Sequence, residues 1–458
     1  MSAVVGSLVT DLRRALGEKV RAHESETLLY RYDAIASGPA PLAVVLPEDE
    51  RDVAEVMRIC SAHRCPVVPR GAASGLSGGA VPVGPCVSIA SNRMKRAAVD
   101  APGRRAVVQP GVVTDELDAL ARAHGLTYAP DPASSRQSTL GGNVAENAGG
   151  PQCLKKGVTA DAVLALEVVL ADGSIARLDR ETGGPDLAAL FIGSEGTLGF
   201  VTEATVRLSP LPAVTRTAQA FFASLDDAGR AVALVTARGL TPAKLEVMDE
   251  VSMWAVDQFL HLGFPPEAKA LLLADCDGDD LELVTAEIEA VLEAFREAGA
   301  VRASLAATAQ EAATLWRARK NVSPALGNVR PNRMNEDIVV PRSLLPSVMA
   351  EIHALAAGSR FPVAVFGHAG DGNLHPNILF DRPKDGTAEV EALAHEIARI
   401  ALRAGGVLSG EHGIGLTKRG FMSEATPAAT LDLYRRLKAA LDPLGLLNPG
   451  KLLPAASR

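Results

Sequence analysis

The sequence is poor in cysteine, and this scarcity excludes two kinds of protein. Its 458 residues include only 5 cysteines, scattered without a Cys-x-x-Cys pair. An odd, unpatterned set predicts neither a disulfide framework nor a zinc or iron–sulfur site held by cysteine. The same pattern favours a reducing compartment over an extracellular one.

Long apolar runs and clusters of basic residues are also missing. No stretch approaches the about 20 uninterrupted apolar residues of a membrane-spanning helix, and the N-terminus lacks the apolar core of a signal peptide. The formal net charge is −8, and no stripe of lysine or arginine forms, which argues against nucleic acid as a partner. We therefore expect a cytoplasmic protein, either free or peripheral to the inner face of the membrane.

The length and the order of predicted elements indicate several domains. A chain of 458 residues is too long for one core, so two or three domains are expected. Paired prolines at residues 209–212 predict a boundary. Beyond it, helices are predicted over residues 221–240, 281–298 and 310–326. Intervening strands at residues 244–248, 270–274 and 338–340 predict an α+β domain built on an antiparallel sheet.

Three glycine-rich segments lie next to predicted strands in the N-terminal half, at residues 70–79, 130–150 and 191–199. Glycine allows the backbone to approach a ligand closely, and converging N–H groups can bind a diphosphate. Together the segments favour a cofactor that carries phosphate. None fits GxGxxG between a strand and a helix, or GxxxxGK[ST], so a simple Rossmann or P-loop domain is disfavoured.

A histidine motif dominates the C-terminal half. Residues 367–377 read GHAGDGNLHPN between two apolar runs, which predicts a hairpin with a six-residue loop. If that loop closes symmetrically, His368 and His375 are cross-strand neighbours with Cβ atoms about 5 Å apart. Two such imidazoles can bind one metal ion at about 2.1 Å each.

A second motif, at residues 409–415, offers Glu411 and His412 as candidates for the third ligand. Adjacent side chains of an extended backbone point to opposite faces. One of the two can therefore face a metal ion while the other faces a substrate.

The ordered motifs over residues 38–451 resemble the vanillyl-alcohol-oxidase-like flavoprotein superfamily. Within it they resemble the branch with the glycolate oxidase catalytic subunit, FAD-linked D-lactate dehydrogenase and D-2-hydroxyglutarate dehydrogenase. The matching motifs are Pro69-Arg-Gly71 with Gly78-Gly79, Gly141-Gly-Asn143 to Asn147-Ala-Gly-Gly150, Gly193 to Gly199, Gly367-His368 to Leu374-His375, Gly410 to Gly413, and Leu447 to Lys451.

The resemblance implies an α+β fold with two parts. A two-subdomain FAD-binding domain would cover residues 1–212, and an α+β substrate or cap domain with an antiparallel sheet and the metal site would cover residues 213–430. Residues 431–458 would return to the FAD domain. FAD would be bound non-covalently, because the first glycine loop contains neither histidine nor cysteine. The implied FAD-binding residues are Pro69, Arg70, Gly71, Ala72, Ser74, Gly75, Leu76, Ser77, Gly78, Pro132, Ser138, Thr139, Gly141, Gly142, Asn143, Asn147, Gly149, Glu195, Gly196, Gly199, Val201 and Asn448.

The resemblance also assigns the chemistry. His368, His375 and Glu411 would bind a divalent metal ion, which the donor set allows to be zinc, manganese or iron. His412 would be the general base, a role that suits an imidazole with a pKa of about 6.5.

The substrate carboxylate would be bound by Arg319, whose fork of donors fits a carboxylate. Ser323 lies four residues later on the same helical face. Asn377 shares a strand face with His375 and would also contact the substrate. The 2-hydroxyglutarate enzymes of this branch carry a further lysine, and residues 333–338 here have none, which favours a smaller acid.

The expected function is FAD- and metal-dependent oxidation of a D-2-hydroxy acid, with D-lactate or glycolate favoured over D-2-hydroxyglutarate. The electrons would pass to an external acceptor, which is a quinone, a cytochrome or a partner subunit. The alternatives are another flavoenzyme reaction on the same scaffold, such as alkyl transfer, and a flavin subunit of an electron-transfer complex. A homodimer or a subunit of a complex is expected.

Overall fold

The computed structural model describes residues 2–454, which form two compact units. The first unit contains the chain up to Gly149, residues Gly157–Leu211 and the chain from Glu411 onward. The second contains Gly150–Lys156 and Pro212–Gly410. The sequence predicts domain limits at residues 212 and 430, and we propose the limits of the compact units as the domain limits.

Helices and strands alternate along both units. The α-helices are α1 (Ser2–Leu16), α2 (Glu24–Thr27), α3 (Glu50–Ala62), α4 (Thr114–Arg122), α5 (Leu140–Glu146), α6 (Cys153–Lys156), α7 (Thr159–Ala162), α8 (Leu225–Ala237), α9 (Glu250–Leu260), α10 (Leu281–Glu297), α11 (Ala309–Lys320), α12 (Val322–Ala325), α13 (Leu345–Ala357), α14 (Arg382–Asp385), α15 (Ala388–Arg403), α16 (Met422–Ala425) and α17 (Ala428–Leu441). Short 3₁₀ helices cover Gly17–Lys19, Leu28–Tyr30, Ser91–Arg93, Ala188–Leu190, Leu326–Asn328, Arg342–Leu344 and Arg419–Phe421.

The strands are β1 (Val20–Arg21), β2 (Ala43–Val45), β3 (Val67–Arg70), β4 (Val87–Ala90), β5 (Ala97–Asp100), β6 (Arg105–Val108), β7 (Leu126–Thr127), β8 (Val163–Val169), β9 (Ile175–Asp179), β10 (Phe200–Arg207), β11 (Ser209–Pro210), β12 (Val214–Phe222), β13 (Lys244–Asp249), β14 (Ala270–Gly278), β15 (Arg302–Leu305), β16 (Asn332–Asn335), β17 (Ile338–Val339), β18 (Val363–His368) and β19 (Asn373–Phe380).

The first unit contains two subdomains with separate sheets. The N-terminal sheet has the order β1-β2-β4-β3, and β4 runs parallel to both β2 and β3. The next sheet is antiparallel with the order β5-β6-β10-β8-β9. Each sheet has its own core, one around Met57 and Ile89 and the other around Leu117 and Leu140. The two-subdomain architecture predicted for the FAD domain is confirmed.

The second unit is built on an eight-stranded antiparallel sheet, as the sequence predicts. Its order is β15-β12-β14-β13-β18-β19-β16, and β17 also pairs with β19. Side chains alternate between the two faces of the sheet. Helices α8, α10, α13 and α15 bury one face, and α9, α11 and α12 pack on the other.

Two helix predictions in this unit are wrong in part. Residues 221–222 end strand β12, whose apolar side chains alternate between the two cores. Helix α8 begins only after Ser224, whose hydroxyl caps it by accepting from the Asp227 N–H at 3.1 Å. The predicted helix over 310–326 is divided, because α11 ends at Lys320 and α12 starts at Val322. Pro324 has no N–H to continue α11 and its ring clashes with the preceding turn.

No helix within residues 2–454 is both long enough and apolar enough to cross a membrane.

Candidate active site

A cleft in the first unit is formed by the three glycine-rich segments. It encloses about 1310 Å³ of space, which includes open solvent at its mouth. Most of the residues predicted to bind FAD line it: Pro69, Arg70, Gly71, Ala72, Ser74, Gly75, Leu76, Pro132, Ser138, Thr139, Gly141, Gly142, Asn143, Glu195, Gly196, Gly199 and Val201.

Five other predicted residues, Ser77, Gly78, Asn147, Gly149 and Asn448, are not among the lining residues. Asn448 instead donates from Nδ2 to the carbonyl oxygens of Gly79, at 3.0 Å, and Glu195, at 2.7 Å. Asn147 ends α5 in the left-handed conformation, and its Oδ1 accepts from the Ala160 N–H. These contacts hold the segments around the cleft.

Glycine is required at particular points of the cleft wall. Gly196 has a φ of +67°, and a Cβ there would lie 2.9 Å from Pro69 Cγ. At Gly75 an added Cβ would enter open space, so its absence leaves room beside the backbone for a ligand. The cleft therefore fits a large cofactor that approaches main-chain N–H groups closely.

Arg70 supports the cleft through its neighbours. Its Nη1 donates to the Tyr32 carbonyl oxygen at 2.7 Å, and its guanidinium stacks on the rings of Tyr30 and Tyr32. Burial lowers the pKa of Arg70 from its ordinary value. Its side chain therefore anchors the N-terminal segment to the strand that enters the first glycine loop.

Glu411 and His412 line this same cleft. The loop that follows them is held by Glu195, whose Oε1 and Oε2 accept from the N–H groups of Ile414 and Gly415 at 2.7 Å each. Burial raises the pKa of Glu195, and the two N–H bonds oppose that shift.

Glu146 is a cleft residue that the sequence reasoning missed. Burial, together with the neighbouring Glu195 and Asp33, raises the pKa of Glu146 well above its usual value. A Cβ on Gly413 would overlap Glu146 Oε2, so the loop after His412 passes directly over this carboxyl group. Its position inside the Asn143 to Asn147 motif could have indicated from the sequence that Glu146 lies at the cleft.

The C-terminal segment contributes a buried lysine to the first unit. Lys451 donates from Nζ to the carbonyl oxygens of Val81, at 2.6 Å, and Gly79, at 3.2 Å. Burial lowers the pKa of Lys451 to about 8. The contacts hold the end of the first glycine loop.

The histidine hairpin of the second unit forms, but its register differs from the prediction. His368 pairs with Asn373, and His375 pairs with Phe366. The loop is therefore four residues long, from Ala369 to Gly372, and the six-residue symmetric loop is wrong. Pairing continues past the predicted loop ends because Asn373 and Leu374 extend β19.

The two histidines still share one face as diagonal neighbours. Their ring centroids are 5.2 Å apart, and each residue is 4% exposed. Buried imidazoles at this separation suit a shared divalent ion.

Glu246 on β13 connects His368 to the predicted substrate arginine, and sequence reasoning missed it. Its Oε1 lies 2.6 Å from His368 Nδ1, and its Oε2 lies 2.6 Å from Arg319 Nη2. Burial alone would raise the pKa of Glu246, but Arg319 and His368 outweigh burial and lower it. The sequence did contain a sign of this residue, because an acidic side chain stands between Leu245 and Val247 in a predicted strand.

Arg319 is buried and only partly engaged. Its guanidinium stacks 4.9 Å from the centre of the Phe366 ring. Its Nε is buried without a hydrogen-bond partner among the described residues. A buried donor in that condition is costly unless a ligand accepts from it.

Asn377 and Ser323 are placed differently from each other. Asn377 is fully buried, and its Nδ2 donates to the His375 carbonyl oxygen at 2.8 Å while its Oδ1 has no hydrogen-bond partner in the described chain. Ser323 belongs to α12, so it is not on a continuous helix with Arg319. Its carbonyl oxygen accepts from Arg333, whose pKa is lowered by burial.

Asp337 is the buried acid beside the second histidine. Its Oδ1 lies 3.6 Å from His375 Nδ1. Its Oδ2 accepts from the Ser409 hydroxyl at 2.7 Å and from the Gly410 N–H at 2.9 Å. Asp337 thus fixes the backbone that immediately precedes Glu411 in the chain.

Comparison with known proteins identifies the class. The FAD binding domain model matches residues 41–179, and the model for the C-terminal domain of FAD linked oxidases matches residues 211–452. The chain therefore belongs to the FAD-linked oxidase family and is an FAD-linked oxidoreductase.

Individual relatives match over nearly the whole chain. The glycolate oxidase subunit GlcD of Escherichia coli (strain K12) is 41% identical over 448 residues, which cover 96% of this chain and 90% of that protein. The D-lactate dehydrogenase of Anaerostipes hadrus is 33% identical over 92% of this chain and 91% of its own. The solved structure of p-cresol methylhydroxylase with substrate bound superposes with a TM-score of 0.83 at 18% sequence identity. The match covers 98% of this chain and 97% of that one. It confirms the vanillyl-alcohol-oxidase-like fold.

Proposed function

We propose that this protein oxidises a D-2-hydroxy acid to the 2-oxo acid, with D-lactate and glycolate favoured over D-2-hydroxyglutarate. The observation that carries the proposal is a cluster of buried side chains against one face of the large sheet in the second unit. There two buried imidazoles, His368 and His375, lie beside a buried arginine whose Nε has no partner within the described residues. The relatives named for glycolate and D-lactate support the substrate class.

The first unit would hold FAD non-covalently in its glycine-lined cleft. When bound, FAD supplies the acceptor for the hydride that leaves Cα of the substrate. The cleft contributes close main-chain approach, which a glycine such as Gly75 permits.

The remaining requirements are met by side chains. Arg319 would bind the substrate carboxylate, with Asn377 and Ser323 as further contacts. His368, His375 and Glu411 would hold a divalent ion, which when bound lowers the pKa of a coordinated hydroxyl group. His412 would accept the hydroxyl proton, so that the proton and the hydride together account for the two-electron oxidation.

We also propose that the protein works as a subunit of a complex. The relative from Escherichia coli is named a subunit, and the cysteines here form no cluster-ligand pattern. The electrons would therefore leave for a quinone, a cytochrome or a partner subunit.

Anaerobic flavin reduction tests the activity. D-Lactate, glycolate and D-2-hydroxyglutarate are added separately to the FAD-loaded protein, with metal present and after chelation. We expect at least one acid to bleach the flavin absorbance only when metal is present. A flavin that stays oxidised with every acid in the presence of metal would overturn the proposal.

Two variants test the assigned roles. We expect His412→Ala to retain metal and FAD but to slow flavin reduction by about 100-fold or more, the typical contribution of a general base. Glu411→Gln should instead lose metal. His124→Ala, which alters an exposed histidine of the first unit, is the matched control and should behave as wild type. Equal metal content in wild type and Glu411→Gln would remove Glu411 from the ligands.

A further inference from the structure

A buried glutamate in the middle of the large sheet has no role in the function as assigned above. Glu246 lies on β13, between β14 and β18, and its side chain is fully buried. Taking a carboxylate out of water is expensive unless its oxygens are paired. One oxygen of Glu246 is hydrogen-bonded to a histidine, and the other forms an ion pair with an arginine.

We propose that Glu246 is a positioning residue that holds His368 as the tautomer protonated on Nδ1, and so directs Nε2 of that ring to the divalent ion. The inference rests on the proposed function, because it assumes that His368 is a metal ligand.

The tautomer follows from the hydrogen bond. A carboxylate paired with a guanidinium offers only acceptor atoms, so the 2.6 Å contact between Glu246 Oε1 and His368 Nδ1 requires the proton to sit on Nδ1. The lone pair of the neutral ring is then on Nε2. Metal-binding histidines are commonly fixed in this way by a carboxylate on their other nitrogen.

Arg319 holds the other carboxylate oxygen of Glu246, Oε2. Its Nη2 contact with Glu246 Oε2 is 2.6 Å, and its stacking on Phe366 restricts the plane of the guanidinium. The carboxylate is therefore held from two sides and cannot rotate away from His368 without breaking an ion pair. Glu246 thereby links the orientation of a metal ligand to the arginine proposed to bind the substrate carboxylate.

A second buried acid on the same strand shows what a purely structural carboxylate looks like here. Asp249 accepts from the main-chain N–H groups of Ser252 and Val365, each at 2.8 Å. Both of these partners are main-chain N–H groups, so Asp249 caps α9 and braces β18. Asp249→Asn is therefore the matched control for Glu246→Gln.

The test compares these two variants as full-length, FAD-loaded proteins. Affinity for Zn²⁺ and for Mn²⁺ is measured by competition with a chromophoric chelator, alongside FAD content and the thermal midpoint. We expect Glu246→Gln to lose 10- to 100-fold in metal affinity, the range typical of such carboxylates, because its amide can present an N–H to Nδ1 and shift the ring proton to Nε2. Asp249→Asn should change the thermal midpoint but leave metal affinity within about twofold of wild type.

Saturating metal supplies a readout that a merely structural defect would not move. Excess Zn²⁺ or Mn²⁺ should restore flavin reduction in Glu246→Gln, because the metal site is weakened and not destroyed. Wild-type metal affinity in Glu246→Gln would overturn the inference while leaving the proposed function intact.

Two further outcomes are separable. If wild-type protein shows no metal-dependent flavin reduction, the proposed function fails instead. If Glu246→Gln does not fold, Glu246→Asp replaces it, since the shorter acid cannot span both partners and should show the same loss of affinity; unchanged affinity there also overturns the inference.

Discussion

Replacing Glu195 with glutamine should loosen the loop that follows Glu411, the proposed metal ligand, and His412, the proposed general base. The two carboxylate oxygens of Glu195 accept from Ile414 and Gly415 at 2.7 Å each, and the residue is 5% exposed. An amide keeps one acceptor and turns an N–H₂ group toward the other main-chain N–H. One charge-assisted bond of roughly 1.5–3 kcal/mol is lost and the other is weakened, so local opening should become easier by about 2–4 kcal/mol.

Hydrogen exchange measures that change directly. Each 1.4 kcal/mol is a tenfold change in an equilibrium constant, so amides of Ile414 and Gly415 should exchange about 30- to 1,000-fold faster in Glu195→Gln. Flavin reduction should slow, since Glu411 and His412 immediately precede the loosened segment. FAD content, read from absorbance, shows whether the cleft itself is retained.

A matched variant separates this effect from loss of a nearby acid. Glu203→Gln alters a half-buried carboxylate on β10 of the same unit, and exchange of the loop should be unchanged there. Wild-type exchange rates for residues 413–416 in a folded Glu195→Gln protein would refute the reasoning.

Three further predictions concern the fold around the sites. Gly415→Ala should weaken FAD binding at least tenfold by fluorescence titration, because its φ is +48° and its Cβ would overlap the Ser77 carbonyl oxygen; Gly420→Ala, where a Cβ meets nothing within 4 Å, should not. Burial raises the pKa of Asp249 to about 6, so the folded state binds more protons than the unfolded state between about pH 4 and 6. Stability should therefore fall by up to about 3 kcal/mol as pH rises through that window, and Asp249→Asn should lack this fall in denaturant titrations. Asp442→Ala should cost about 2–5 kcal/mol in the same assay, because it leaves the N–H groups of Leu446 and Leu447 unsatisfied and removes the carboxylate partner of the half-buried Lys438; a loss below about 1 kcal/mol would contradict this.

The predictions from sequence succeeded where spacing along the chain is sufficient. The apolar runs on either side of residues 367–377 predicted the β18–β19 hairpin, which forms with Gly372 at a φ of +86°. They failed where a cap or a break decides the boundary. Ser224 starts α8 later than predicted, and the break at Asn321, three residues before Pro324, separates Ser323 from the helix of Arg319.

The sequence by itself determined the kinds of chemistry available. Glycine loops permit close approach to a cofactor. The two histidines of the hairpin motif lie on the same face of the sheet whenever the loop between the strands has an even number of residues. Both follow from backbone sterics and from the two-residue period of a strand, which are local properties.

Only the tertiary structure decided which distant groups meet. The 2.6 Å contacts of Glu246 join residues 246, 319 and 368, and Glu195 meets a loop about two hundred positions later. Such partners are set by sheet order, since β13 pairs with β18 across more than a hundred intervening residues. A buried carboxylate needs partners from somewhere, but which residues supply them depends on which strands lie side by side.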